Sequence, residues 1–478
     1  MKIYLSPAYN VAMPPDPTVP LPALFLQRMQ NLLGPEFPAF AESLNRAPHS
    51  GLRVNTLKLS PEEFQAISPF TLGEKVPWCP SAFTLNGGER PGLHPYHLAG
   101  LYYMQDPSAM SPAELMDPQP GERILDLAAA PGGKTTHLAA LMKGQGLVVA
   151  NEIKNKRVGH LAQNAERWGA GNIVVTNESP ERLADHFGRY FDRVLVDAPC
   201  SGEGMFRKDM GARADWSPEM VAGCAVRQKN ILHVAAKLVR PGGYLLYSTC
   251  TFAPEEDEAV IAQLLEDFPD FSVVNLTQFE GFLPGKPEWL PGKQALISEL
   301  SGAVRLFPHR IKGEGHFACL MQLSTQPETE HRPAERRPSR KSEKIDLRLW
   351  QNFEKEILAV SLDQNRLKLA GERLYYVPET SPDFGRLRIV HNGVWLGSFK
   401  KDRFEPAHPL ALFLKTGQTK NTFALSATSR ELAAYLRGET LDTTVNGWAV
   451  VTVDGFPIGW GKGVQGTLKN HFPRGWMV

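Results

Sequence analysis

Arg123-Ile-Leu-Asp-Leu-Ala-Ala-Ala-Pro-Gly-Gly-Lys134 is the stretch from which the 478-residue chain is read. Its first half, Arg123 to Leu127, is short and apolar with one acid, Asp126, as a strand buried in a parallel sheet would be. Its second half turns at Pro131-Gly132-Gly133 and runs into a helix-like segment, Lys134 to Met142. Strand, glycine turn and helix open a doubly wound α/β sheet: glycine admits close approach of a ligand, and the helix N-terminus offers free N–H groups. A P-loop would place its first glycine at position 128, which is alanine, although Gly133, Lys134 and Thr135 fit. The Gly-x-Gly-x-x-Gly of a dinucleotide fold is absent. S-adenosylmethionine fits best, because its sulfonium and carboxylate call for an acid and backbone donors rather than a phosphate cradle. A tight turn with no ligand stays open on this stretch alone.

Downstream the pattern alternates strand and helix. Gly146 to Glu152 is a second strand, and an acid at its tip is where nucleotide folds grip a ribose diol. Helix 154–168, strand 172–176, strand 193–200, helix 221–239 and strand 244–250 follow. Pro254-Glu-Glu-Asp-Glu258 opens another helix, and the sheet closes within 302–324 on a strand from His316 to Leu323. Cys200 and Cys250 end two of these strands. Ligands of such sheets bind at the carboxyl ends of the strands, so both thiols should face the cleft of Gly132 and Glu152. A single cysteine is usually a small buried hydrophobe; two at strand tips beside a methyl-donor turn suit one chemistry. Carbon 5 of cytosine becomes nucleophilic when a thiolate adds to carbon 6, and a second thiol or an acid helps the later release. Asp197 is placed to hold the exocyclic amine or ring N3. Adenine N6 methylation would need an aromatic platform that Asp197-Ala-Pro-Cys200 lacks.

Upstream, residues 22–44 show helical spacing, 51–59 alternate as a strand, and Ser60-Pro61-Glu-Glu-Phe64 starts a helix. Arg53 and Asn55 on the strand are read as solvated polar positions ahead of RNA ligands. Gln105, Asp106 and Ser108 either line the cleft or cap a helix. Residues 325–344 have no apolar period and six arginines and lysines, a solvated tether before phosphate contacts. Beyond it the chain folds again, with strands at 373–377, 386–390 and 448–453 and a turn at Gly393-Val-Trp-Leu-Gly397. Trp460, Lys462, Lys469, His471, Phe472, Arg474 and Trp476 suit stacking on RNA, and equally an ordinary small barrel. Apolar content of 42% and charged content of 22% are those of a soluble protein of several domains. Five scattered cysteines argue against a disulfide framework and for a reducing, cytoplasmic setting. No cysteine–histidine spacing suggests a metal, and no segment suggests a membrane span. A net charge of +1 gives no global attraction to nucleic acid.

Six stretches together resemble the Nol/Nop/Sun family of RNA 5-methylcytosine methyltransferases. They are Arg53-Val-Asn-Thr56, Gln105-Asp-Pro-Ser108, Asp126 to Lys134, Asp197-Ala-Pro-Cys-Ser-Gly202, Ser248-Thr-Cys-Thr251 and Pro254-Glu-Glu-Asp-Glu258. Lys400-Lys-Asp-Arg-Phe-Glu-Pro406 and Asp454 to Lys462 resemble the bacterial branch that modifies small-subunit (16S) rRNA and carries a PUA-like domain. The resemblance implies a Rossmann-like class I methyltransferase core at 111–325, preceded by a small α+β, RRM-like RNA-binding domain at 1–110. A linker at 326–344, an α+β subdomain at 345–398 and a PUA-like α+β/β-barrel domain at 399–478 follow. It implies that Cys250 attacks carbon 6, that Cys200 helps release the product, and that Asp197 lies where cofactor meets base. Ala128, Ala129, Ala130, Pro131, Gly132, Gly133, Lys134 and Glu152 would hold S-adenosylmethionine; the partner would be 16S rRNA or the small subunit, met by a monomer. The residues themselves give no reason to choose between the thiols. Many relatives place an adenine-contacting aspartate after the third strand; Ser179 stands there, with Glu178 and Asn177 as the available substitutes.

Overall fold

Alternate residues of one strand build two cores. Ile124, Val148, Leu195 and Leu246 face one layer of helices, while Leu125, Val149, Val194 and Leu245 face the other. The computed structural model describes residues 19–86, 89–276, 279–290, 292, 297–326 and 347–476. Five strands run parallel: β1 (Arg123–Asp126), β2 (Leu147–Asn151), β3 (Ile173–Thr176), β4 (Phe191–Asp197) and β5 (Val239–Thr249). Their spatial order is β3-β2-β1-β4-β5, so the direction of winding reverses between β1 and β4 and a crevice opens beyond their carboxyl ends. Short strands β6 (Phe271–Val274), β7 (Leu283–Pro284) and β8 (Val304–Leu306) flank β9 (His316–Leu323), which lies antiparallel to β5. Helices α1 (Gly133–Leu141), α2 (Asn155–Trp168), α3 (Pro180–Phe187), α4 (Pro218–Ala236) and α5 (Glu258–Asp267) cover the two faces. The opposite edge is closed from the far end of the chain: β10 (Ile389–Asn392) pairs antiparallel with β3.

Before the core, helices Ala23–Leu33 and Phe37–Ser43 bury Phe25 and Phe40 against Phe206 and Phe252. A four-stranded antiparallel sheet follows, in the order Leu72–Val76, Cys79–Leu85, Ser50–Val54, Tyr102–Gln105. Ser60 starts its helix through a capping box with Glu63, as its sequence foretells. Arg53 and Asn55 are not solvated: both are fully buried. The Arg53 guanidinium lies over Trp168 and donates to Gly133 O at 2.9 Å and Thr136 Oγ1 at 3.0 Å. Asn55 donates to the carbonyls of Gly100 and Trp168, both at 2.8 Å. Trp168 ends α2, where carbonyls lack helical partners, so inward polar residues satisfy them.

After the core, a four-stranded sheet runs Leu367–Ala370, Arg373–Tyr376, Val394–Phe399, Phe404–Pro406. The turn expected over 393–397 is confined to Gly393, at φ 65°; the rest is strand. A five-stranded sheet holds Thr422–Leu425, Gly447–Val453, Phe456–Val464, Thr467–Asn470 and Leu441–Asp442. Trp460, Phe472 and Trp476 are buried there, so these rings are core and not a stacking platform. Trp460 Nε1 donates to Ala407 O at 2.9 Å, which fixes the ring inward. Of the tether expected at 325–344, residues 327–344 with all its basic side chains lie outside the described residues. No described helix is long and apolar enough to cross a membrane.

Candidate active site

The turn after β1 is shaped by glycine geometry and held by α2. Gly132 adopts φ 111° as N-cap of α1, and a Cβ there would come within 3.1 Å of Leu161 Cδ1. Asn164 Nδ2 donates to Pro131 O at 2.7 Å, Arg157 to Ala130 O at 2.5 Å, and Ala129 N to Asn151 O at 2.8 Å. Ala129, Ala130 and Gly132 are buried, Ala128, Gly133 and Lys134 half-buried, and Pro131 exposed. Asp126 ends β1 fully buried. Thr135 Oγ1 donates to its Oδ2 at 2.6 Å, but Oδ1 has no partner. Burial pushes this carboxyl up to about 7, with Asp197 and Glu152 adding and Thr135 and Lys134 opposing. An orphaned acid beside a glycine cradle suits a cationic ligand with an anionic arm, which S-adenosylmethionine is.

Glu152 follows β2, buried, its Oε1 accepting from Lys154 N at 2.8 Å and its Oε2 lying 3.5 Å from Arg157. Ile153 beside it is 57% exposed, an apolar face next to the acid expected to grip a ribose. The substitutes for the missing aspartate are committed elsewhere. Asn177 Nδ2 donates to Glu152 O at 2.6 Å; Glu178 pairs with Arg182 at 2.8 Å and accepts from Arg388 N at 2.7 Å. Ser179 caps α3.

Across the crevice, Asp197 at the end of β4 pairs with Lys134 from the first turn of α1 at 2.7 Å and accepts from Ser248 Oγ at 2.9 Å. Burial raises its pKa, but Lys134 and His316 outweigh burial and hold the carboxyl below its usual range. The β4 and β5 tips bring the two thiols together: Cys200 Sγ lies 3.3 Å from Cys250 Sγ. Contact with Cys250, then burial, pushes the Cys200 thiol well above its usual value. His316 opens β9, across the sheet from the end of β5, a residue sequence reasoning missed. Burial, and then Lys134, push it down to about 4, so it is neutral, and its Nε2 has no partner. Asp106 caps the helix Pro107–Met116 and pairs with Lys208, while Gln105 packs beside Gly133 and accepts from Arg53 Nε at 3.4 Å. Away from the crevice, buried Cys79 and His137 form a trio with half-buried Glu114. His137 Nε2 lies 2.9 Å from Glu114 Oε1 and 3.7 Å from Cys79 Sγ, with the Arg53 cation among its neighbours.

A doubly wound sheet with the winding order above, a glycine turn after β1 and acids at the β1 and β2 tips defines a class I methyltransferase using S-adenosylmethionine. Family models agree along the chain. Residues 113–322 match 16S rRNA methyltransferase RsmB/F, 21–107 the RsmF N-terminal domain, 352–414 its first C-terminal domain and 420–478 its PUA domain. The Vibrio parahaemolyticus protein named ribosomal RNA small subunit methyltransferase F is 32% identical, over 96% of this chain and 98% of its own length. The Enterobacter protein of that name is 33% identical, over 95% of each. The chain belongs to the RsmB/F family of 16S rRNA methyltransferases. Among solved structures, a methyltransferase homologue from Pyrococcus horikoshii has a TM-score of 0.55 at 30% identity, over 64% of this chain and 96% of that one.

Proposed function

We propose that the chain methylates carbon 5 of a cytosine in 16S rRNA through a covalent bond between Cys250 and carbon 6. The observation that carries it is the thiol pair at 3.3 Å, beside the Asp197–Lys134 pair. Asp197, held ionised, accepts from the exocyclic amine, and Lys134 sets a donor beside the ring. Contact with Cys250 and burial hold Cys200 protonated, which leaves Cys250 as the thiol assigned to attack. The Cys250 thiolate bonds carbon 6, and the displaced π pair makes carbon 5 nucleophilic. S-adenosylmethionine, held by residues 128–134 and Glu152, supplies the methyl group. Once Cys250 is bonded its charge is gone, so Cys200 ionises, its proton passing to solvent. It then removes the carbon-5 proton; the pair left behind restores the ring double bond and expels the Cys250 thiolate. The N-terminal sheet and residues 399–478 are assigned to RNA contact, which the match of 420–478 to a PUA model supports. Coverage of the β3 edge by the chain's own β10 supports a monomer.

The test is transfer from labelled S-adenosylmethionine to unmodified small subunits, naked 16S rRNA and bulk tRNA. Label recovered as 5-methylcytosine in subunits or rRNA is expected, lost with Cys250→Ala, and Cys200→Ala should accumulate a covalent RNA adduct. Full activity of Cys250→Ala would overturn the mechanism. Label in tRNA alone would overturn the substrate, and cofactor and RNA binding without transfer would favour a ribosome-assembly factor.

A further inference from the structure

Glu256 lies in the turn between β5 and α5, fully buried and unused in the chemistry above. Its Oε2 accepts from Ser201 N at 3.0 Å and from Gln228 Nε2 at 2.8 Å, and its Oε1 lies 3.5 Å from Thr251 Oγ1. Ser201 follows Cys200 and Thr251 follows Cys250, and their hydroxyls lie 2.9 Å apart. Gln228, from α4, also donates to Pro199 O at 3.1 Å, on the other side of Cys200. One carboxylate therefore gathers the backbone behind one thiol, the side chain behind the other, and the helix that backs them both.

We infer that Glu256 is a positioning residue that holds the Cys200 and Cys250 loops in register, so that the two sulfurs stand at bonding distance for attack and release. The inference rests on the thiol roles proposed above. A glutamine would fill the same space without burying a charge, so an acid here needs a reason. The groups around it sharpen the point. Glu203, Asp257, Cys200, Cys224 and Tyr247 all face it as acids, and the cations nearby are taken: Arg305 pairs with Asp257 and Glu258, Arg28 with Glu203 and Glu255. Burial, with Glu203 adding, pushes the Glu256 carboxyl up to about 7, so it changes charge in the working range. The ionised form lets both oxygens accept, and its charge adds to what keeps Cys200 protonated before attack. The protonated form gives up one acceptor and that charge together. The clamp thus also biases Cys200 toward its protonated form.

The test uses the full chain, with Glu256→Ala and Glu256→Gln. Phenylarsine oxide bridges only thiol pairs in close contact, so its capture of Cys200 and Cys250 reads the spacing without any methyl transfer. Wild type should capture it. Glu256→Ala should capture it at least tenfold more slowly and lose about 10–100-fold in kcat, with S-adenosylmethionine Kd within twofold of wild type. Glu256→Gln should restore capture and most of kcat, yet move the limb of the kcat–pH profile that wild type shows near neutrality. Wild-type capture and kcat in Glu256→Ala, or a Glu256→Gln profile superimposed on wild type, would overturn the inference. If Glu256→Ala fails to bind cofactor it has not folded, and Glu256→Gln alone decides. If wild type methylates no RNA while capture still depends on Glu256, the clamp stands and the cytosine reading falls.

Discussion

Asp126 carries a conflict that a ligand would resolve. Its unpartnered oxygen and a pKa raised to about 7 mean that the ionised residue is poorly satisfied in the unliganded protein. The sign follows from proton counts. An acid raised in the folded state keeps its proton there between about pH 4 and 7 while the unfolded chain releases it. Its contribution to stability therefore falls as pH rises through that window and is level above it. Asp126→Asn removes the penalty, worth about 2–4 kcal/mol above pH 7. Thermal melts should show the variant more stable than wild type at pH 8 and equal to it near pH 4. Its S-adenosylmethionine affinity, by titration calorimetry, should drop at least tenfold. Wild-type affinity should itself rise as pH passes through 7, and Asp126→Asn should lose that dependence. Unchanged affinity in the variant would remove Asp126 from the cofactor site.

At the scale of elements, the turn between β1 and α1 depends on one backbone conformation. Gly132→Ala meets both an unfavourable φ of 111° and Leu161 Cδ1 at 3.1 Å, so it should cost about 1–2 kcal/mol from φ alone. α1 must shift to relieve it, and Lys134 shifts with it; cofactor affinity and the Asp197 pair should both weaken, read by calorimetry and by the pH dependence of kcat. This turn was legible because everything it needs is contiguous: an apolar run, small residues, glycines and a helix start within 123–134. The strand tips holding Glu152, Cys200 and Cys250 were legible for a related reason, since parallel strands announce themselves as apolar runs and their carboxyl ends point one way. What failed was the choice of face. Alternation set Arg53 and Asn55 off from their neighbours but did not say that Arg53 meets the first turn of α1 and Asn55 the carbonyl end of α2. Trp460 sat among lysines in sequence and in the core in space for the same reason. His316 escaped notice because no local pattern marks it, and Glu256 was legible only as one acid of the Pro254–Glu258 run because its partners Ser201 and Gln228 lie on other elements.

At the scale of the molecule, the C-terminal region is built into the core sheet. β10 supplies the ninth neighbour in the sheet order, about 215 residues after the strand it pairs with, a distance at which no sequence pattern of four residues could signal the pairing. Its approach is also where the Glu152 end of the crevice is secured. Asn177 N donates to Arg388 O at 3.0 Å and Arg388 N to Glu178 Oε1 at 2.7 Å, while the Asn177 side chain holds the Glu152 carbonyl at 2.6 Å. Phe384 packs on Phe187 of α3 in the same stretch. A chain ending at residue 326 would uncover the β3 edge, leave the buried Glu178 carboxylate with Arg182 but without the Arg388 N–H, and loosen the segment that presents Glu152. It should melt lower than the full chain, aggregate on concentration, and bind S-adenosylmethionine more weakly although every proposed cofactor contact is retained. Arg388→Pro tests the contact within the full chain: it deletes the N–H given to Glu178 and the side-chain bond from Arg388 Nη1 to Asn155 Oδ1 at 2.9 Å, and Arg388→Ala, which keeps the N–H, isolates the second loss. The loss of the N–H beyond that of the side chain should cost about 1–3 kcal/mol of stability and weaken cofactor binding measurably, while leaving the five-stranded C-terminal sheet intact by circular dichroism. Equal melting points and equal cofactor affinity in all three proteins would show that β10 merely rests on the sheet; a graded loss, full chain above Arg388→Pro above the shortened chain, would show that the C-terminal region helps to form the cofactor site.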